Sequence, residues 1–286
     1  MNASNKWLTG LWYLLLSFLV IIFIYAPVLW LVASSVSTRA DLLAMPPHLF
    51  PAKPSLENYY NIILPGRPAS DVTQIFKLAL ANSFIVALST TVICLVIAAF
   101  GAYALARMKL RFKDNLIISI LSVRMIPEIS LVIPLFIVAS KLSLIDKPIV
   151  LIITYLSFSL PFALWMLTTF FETIPLELED AALIDGSSRL NTLFKVILPL
   201  ATPGIVSTAL FIFLLAWDEF FFALIFTSTT AAKTVPVAIA EFTGRYAVDI
   251  TAMMAAGVLA AIPPVVLALV FQRYIVSGLS AGAVKG

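Results

Sequence analysis

Of the 286 residues, 62% are hydrophobic and only 12% are charged, against roughly 25% charged in an ordinary soluble domain. This excludes a soluble or disordered chain and leaves an integral membrane protein. The formal charge of +3 reflects loop placement and not a nucleic-acid partner, and one cysteine, Cys94, excludes an intrachain disulfide.

A bilayer-spanning helix needs about 20 mostly apolar residues, and the chain holds six such runs. The first, about 12–33, is too long for a signal-peptide core of roughly 7 to 15 residues and reads as a retained span. Residues 34–77 are polar and broken by Pro46, Pro47, Pro51, Pro54, Pro65 and Pro68, as in an external loop. The second run, 78–106, ends in Arg107, Lys109, Arg111 and Lys113, a basic density that marks a cytoplasmic loop. The third, 116–139, returns outward to a short turn from Lys141 to Lys147. The fourth, 148–171, comes back in and delivers a polar loop, 172–199, to the cytoplasm. The fifth and sixth, 200–226 and 251–271, flank an external segment with Lys233, Glu241, Arg245 and Asp249, which leaves both termini and the tail, 274–286, inside.

The polar stretch from Ile174 to Pro203 is the long patterned interruption in the second half. A helix can start at Pro175, with Glu177, Glu179 and Asp180 near the positive end of its dipole. Gly186 can end it with a left-handed cap, and Ser187 or Ser188 can cap a second helix carrying Arg189 and Lys195. Ala181 and Ala182 leave a low surface beside acidic residues, which suits docking better than chemistry.

These residues resemble the EAA loop of bacterial ABC importer permeases: E-A-A, three residues, Gly, nine residues, then I-x-L-P. Ala181, Ala182, Gly186, Leu198 and Pro199 match at that spacing, while Asp180 stands for the usual Glu and Val196 for the usual Ile. Whether Asp180 or Glu179 makes the family's acidic contact is open. The phrase A-W-D-E-F from Ala216 and the tail S-G-L-S-A-G-A-V-K-G from Ser277 are similar to the carbohydrate, maltose-type branch. The resemblance implies an all-α membrane permease of six transmembrane helices, with a cytoplasmic coupling helix between spans four and five, in a bacterial or archaeal inner membrane. It further implies that Glu179, Asp180, Ala181, Ala182, Asp185, Gly186, Leu198 and Pro199 couple to an ATPase. The implied partners are a second, related permease, two copies of a P-loop ATPase, and an extracytoplasmic sugar-binding protein. The tail is expected to reach toward the ATPase interface.

Ionisable residues inside the runs mark candidate path positions, because lipid does not tolerate bare charge. Arg124 and Glu128 stand four apart, so on a continuous helix they share a face and can neutralise each other. They are either a structural pair or part of a substrate path. Trp217, Asp218 and Phe221 offer the mix of aromatic faces and hydrogen-bonding groups that suits a sugar, Asp218 and Glu219 are expected to face a polar cavity or a subunit interface, and Tyr155, Ser157 and Ser159 in the fourth run can face the same path. Prolines 127, 134, 161, 203, 263 and 264 can break helices along such a path. His48 is the only histidine, so no metal site is expected, and no catalytic triad is apparent. The chain has no phosphate-binding G-x-x-x-x-G-K-[ST] loop, so ATP and Mg are expected on a separate subunit and this chain is expected to be no enzyme. The rival readings are an ion-gradient-driven secondary transporter, against which no inverted repeat is visible, and an ABC permease for a polyol, sugar phosphate or other polar solute.

Overall fold

The computed structural model describes residues 3–45, 50–51, 53–64, 71–243 and 249–283. Pro46, Pro47, His48, Pro65, Pro68, Arg245 and Lys285 lie outside them. The described residues are helical throughout, with no strand, and group into two units, Met1–Phe76 with Ile239–Ile262 and Lys77–Ala238 with Pro263–Gly286.

In the first unit, α1 (Ala3–Ser35) is a long apolar helix whose side chains from Gly10 onward are mostly exposed, Phe23 at 81%. In water such a surface would aggregate; in lipid it is the expected outer face. Ser35 at its end accepts Asn58 on its carbonyl at 3.3 Å and bonds Tyr59 Oη through its hydroxyl at 2.6 Å. These contacts hold α3 (Glu57–Ile63) to the end of α1. Between them, α2 (Arg39–Leu43) starts with a capping box of Thr38 and Asp41, in which each satisfies the other's backbone N–H.

The second unit is built on α4 (Asp71–Arg107), whose first six residues belong to the first unit. At about 1.5 Å per residue its 37 residues exceed the ~30 Å of a hydrocarbon core. Phe112, in the left-handed region at φ 72°, turns the chain into α5 (Lys113–Ser122). A single 3₁₀ turn at Val123–Met125 and Pro127 then separate α5 from α6 (Glu128–Lys141), and the two helices bend by 87°. The third apolar run is therefore not one straight helix, because proline cannot continue the hydrogen-bond ladder. After α7 (Pro148–Glu172) come α8 (Leu176–Ile184), α9 (Arg189–Thr192), a π turn at Leu193–Ile197, and α10 (Leu198–Leu200). A second bend of 80° leads into α11 (Thr202–Trp217), which breaks at Asp218 before α12 (Phe221–Phe226). The fifth run is thus two helices with an interruption. The chain continues through α13 (Val235–Glu241) to α14 (Ile250–Ala283).

Among the described residues four helices are long and apolar enough to cross a membrane, or up to six if each bent pair is one span. The four, α1, α4, α7 and α14, overlap the first, second, fourth and sixth runs. Pro134, Pro161, Pro263 and Pro264 sit inside helices, whereas Pro127 and Pro203 lie beside the two sharp bends.

The packing is close where side chains are small. Ala98 and Ala102 on α4 meet Ala163, Leu167 and Phe171 on α7 in a buried cluster that Leu193 and Ile197 complete. Small residues let membrane helices approach when water exclusion cannot drive them together. At Gly204 a Cβ would stand 2.2 Å from the ring of Phe170, so the contact of α11 with α7 needs hydrogen there.

At the opposite end of the second unit, the segment after α12 is stitched down. Asn82 donates to the carbonyls of Thr230 and Lys233, each at 3.0 Å, and the Val235 amide donates to Ser83 Oγ. Asp146 accepts the amides of Ser228 and Thr229 at 2.9 and 3.0 Å, and the Thr229 hydroxyl. Desolvation alone would raise the Asp146 carboxyl, but the Thr229 hydroxyl, the two amides and nearby Lys233 together hold it below its ordinary 3.8. A carboxylate lowered on folding stabilises above its unfolded pKa, and that contribution is lost as pH falls through the folded value. Thermal melting in detergent should therefore fall on acidification below pH 3.8 more for the wild type than for Asp146→Asn, which carries no titrating group there.

Candidate functional site

The segment between α7 and α11 folds as a helix, a tight turn and a second helix. Pro175 is the residue before the first turn of α8, one place earlier than an N1 proline, and Glu177 and Glu179 lie in that first turn. Gly186 ends the helix at φ 84°. The Ser187 amide donates to the Ala182 carbonyl at 3.0 Å and the Gly186 amide to Leu183 at 3.1 Å, the paired bonds of a Schellman motif. Ser188 then caps α9, accepting the Asn191 amide at 3.3 Å. No atom lies within 4 Å of where a Gly186 Cβ would be, so the demand for glycine is purely conformational.

What α8 shows to its surroundings is mixed apolar and acidic. Leu176, Leu178 and Ile184 are 57%, 45% and 86% exposed, and Asp180, Ala181 and Asp185 are exposed beside them. Leu198 and Pro199, at the far end of the motif, are half-buried and exposed respectively. Glu179 differs from its neighbours. It is the one buried residue of α8, and its carboxylate turns back into its own chain to meet α4. Tyr103 Oη donates to Glu179 Oε1 at 2.5 Å, and Arg107 Nε stands 3.1 Å from Oε2. Arg107 Nη2 also donates to the Ile174 carbonyl at 2.8 Å, just before α8. The Arg107 side chain is only 3% exposed, so the first cation of the basic cluster is an internal ion-pair partner and not a solvated loop residue. Nearby, Lys113 pairs with Glu172 at 2.5 Å, tying the start of α5 to the end of α7.

The second candidate region is a small cleft of about 70 Å³, where the bend between α5 and α6 faces α7 and the break after α11. Arg124, Glu128, Tyr155, Ser159 and Glu219 supply its polar wall. Phe158 and Phe222, stacked with centroids 5.1 Å apart, supply an apolar one. The Arg124 guanidinium lies 5.4 Å from the centroid of the Phe162 ring, a cation–π distance. Arg124 and Glu128 are both exposed, and no ion pair closes between them. The break at Pro127 is the reason: four residues apart no longer means one helical face once the ladder is interrupted.

Glu219 is fixed. Its Oε1 accepts the Phe222 amide at 2.7 Å, and its Oε2 accepts the Ala223 amide at 3.2 Å and the Tyr155 hydroxyl at 2.5 Å. It thereby satisfies two otherwise orphaned donors at the start of α12 and ties the broken fifth run to α7. Trp217 and Asp218 do not join this cleft. Trp217 is 3% exposed and stacks on Phe213 at 5.6 Å, while Asp218 is exposed at the end of α11. Sequence reasoning thus reached Arg124, Glu128, Tyr155 and Glu219, gave Ser159 as a lesser candidate, and missed Phe158 as a partner of Phe222. It also missed Tyr103, for which no local signal exists because its partner lies 76 positions away. Among the described residues no cluster of three or more His, Cys, Asp or Glu could hold a metal ion.

Residues 97–281 match the family model for the binding-protein-dependent transport system inner membrane component. The chain belongs to that family. It is 42% identical over 263 residues to the trehalose/maltose transport system permease protein MalG of Thermococcus litoralis, covering 91% of each chain. It is 40% identical over 260 residues to the sulfoquinovosyl glycerol transport system permease protein SmoH of Agrobacterium fabrum, covering 91% of this chain and 88% of the relative. In fold it is similar to a chain of a bacterial ABC transporter involved in the import of the acidic polysaccharide alginate, with a TM-score of 0.78 at 22% identity over 96% of this chain and 98% of that one. The resemblance to carbohydrate ABC importer permeases is borne out, and with it a multi-pass inner-membrane protein that works in transport.

Proposed function

We propose that this chain is one of two related permease subunits of an ATP-driven importer, and that it forms half of the path for a mono- or oligosaccharide. The observation that carries the reading is α8 itself, a short helix with exposed Leu178, Ala181 and Ile184 and exposed Asp180, closed by a glycine turn. A compact lever with an apolar face and flanking acids suits insertion into a cleft of another protein, and a rigid turn transmits motion where a loose loop would absorb it. ATP and Mg would be held by two copies of a P-loop ATPase, with Asp180, Ala181, Ala182, Asp185 and Gly186 of this chain at the contact. An extracytoplasmic binding protein, as the family's description implies, would deliver the solute.

Counting each bent pair as one span gives six crossings, with both termini cytoplasmic. The contact of Arg107 with Ile174 favours this count, because it puts the basic end of α4 and the coupling segment on one side, as the crossing order requires. The bond from the Asp146 amide to the Phe226 carbonyl likewise joins two loops assigned to the other side. The cleft's lining suits the edge of a sugar, because carboxylate, guanidinium and hydroxyl groups can bond hydroxyls while half-buried Phe158, backed by Phe222, offers an apolar contact. The trehalose/maltose and sulfoquinovosyl glycerol relatives favour a glycoside over a free polyol or a sugar phosphate.

Purification of the tagged chain in mild detergent, with mass identification of its companions, tests the assembly. A P-loop ATPase and a second permease are expected. Recovery of the chain alone, or as a homo-oligomer, would overturn the reading.

A further inference from the structure

Glu179 sits beside the motif's expected acidic contact, yet its side chain is 7% exposed and turned toward α4. It is the only residue of α8 that is buried. The helix is therefore anchored to α4 through a charge. Its partners, Tyr103 and Arg107, lie four apart near the end of α4, and so one turn of one helix presents both to the carboxylate. Arg107 simultaneously holds the Ile174 carbonyl, so the approach to α8 and α8 itself are fixed to the same turn. Arg107 Nε and Glu179 Oε2 stand at ion-pair distance without an aligned hydrogen bond, and neither atom has another hydrogen-bond partner. Buried charges in such an arrangement are costly to separate, since removing one partner strands the other.

We propose that Tyr103, Arg107 and Glu179 form a strut that makes α4 move with the coupling helix, with Glu179 a positioning residue and Asp180 left to meet the ATPase. The inference rests on the proposed permease function and assigns the two adjacent acids different tasks. Displacement of α8 by a partner is passed through the strut to the end of α4. The same displacement without the strut would be absorbed where α8 joins α7, at Thr173 and Ile174.

The test uses the whole complex in proteoliposomes, with the ATPase recovered per permease, ATP hydrolysis, and solute moved per ATP read separately. Glu179→Gln and Arg107→Gln should each keep the ATPase bound and hydrolysis within about twofold, while solute moved per ATP falls roughly tenfold. The double variant leaves no stranded charge and should insert better than either single, but with the ion pair gone it should not regain the solute moved per ATP. Asp180→Asn, by contrast, should shed the ATPase. The proposal is overturned if Glu179→Gln sheds the ATPase as Asp180→Asn does, if the single variants move solute per ATP like the wild type, or if the double variant regains wild-type solute per ATP. A wild-type chain that brings down no ATPase would instead overturn the permease reading, and the strut's role with it.

Discussion

Replacing Gly186 with valine should strip the ATPase from the purified complex by roughly tenfold or more, while the chain still inserts in the membrane. The residue sits at φ 84°, where an L side chain clashes with its own backbone at about 1–2 kcal/mol, and a β-branched one suffers more. Space is not the issue, since nothing lies within 4 Å of the missing Cβ. The strain is relieved by unwinding the turn, which would break the bonds from Ser187 to Ala182 and from Gly186 to Leu183 and so misdirect Ala181, Ile184 and Asp185. Gly186→Asn separates conformation from bulk, because asparagine tolerates the left-handed region, and it should retain most of the bound ATPase. Equal loss in both variants, or none in valine, would contradict this account of the turn.

Glu219→Ala should abolish uptake, by about 100-fold or more, with the ATPase still bound. The carboxylate accepts three hydrogen bonds, each worth about 1.5–3 kcal/mol when the acceptor is charged, and alanine leaves the Phe222 and Ala223 amides and the Tyr155 hydroxyl without it. The start of α12 and its tie to α7 would loosen together, and with them the wall of the cleft that carries Phe222. Glu219→Gln keeps an acceptor oxygen and should fall in between. Tyr155→Phe removes one bond only and should lose less than either. Measured uptake in that order would support a structural clamp at the cleft. A Tyr155→Phe loss as deep as Glu219→Ala would point instead to direct use of the tyrosine hydroxyl.

Hydropathy made the apolar runs legible, because lipid imposes length and composition on any crossing helix. It could not give direction. The runs at 116–139 and 200–226 are apolar on average, despite Arg124 and Glu128 around Pro127, so the bends of 87° and 80° leave no trace in a sliding average. The turn at Gly186 was legible residue by residue, since Gly186 and the serines after it have local physical reasons to be there. Glu179 was not. Its acidity looked like that of Asp180, and only the approach of α4, remote in sequence, separates an inward strut from an outward contact. The candidate path residues failed in the same way. Arg124 and Glu128 were paired by a helical spacing that Pro127 cancels. Trp217, grouped by sequence adjacency with Glu219, turns into the core and stacks on Phe213 instead of lining the cleft.

The central claim is that transport through this chain is driven by ATP on a separate subunit, and reconstituted uptake tests it most directly. Proteoliposomes carrying the complex, with binding protein outside and ATP inside, should accumulate labelled trehalose or maltose, or another glycoside if neither is the solute. Accumulation should stop when ATP is withheld and persist when an uncoupler dissipates ion gradients. Uptake that continues without ATP and collapses with the uncoupler would contradict the account and identify a secondary transporter.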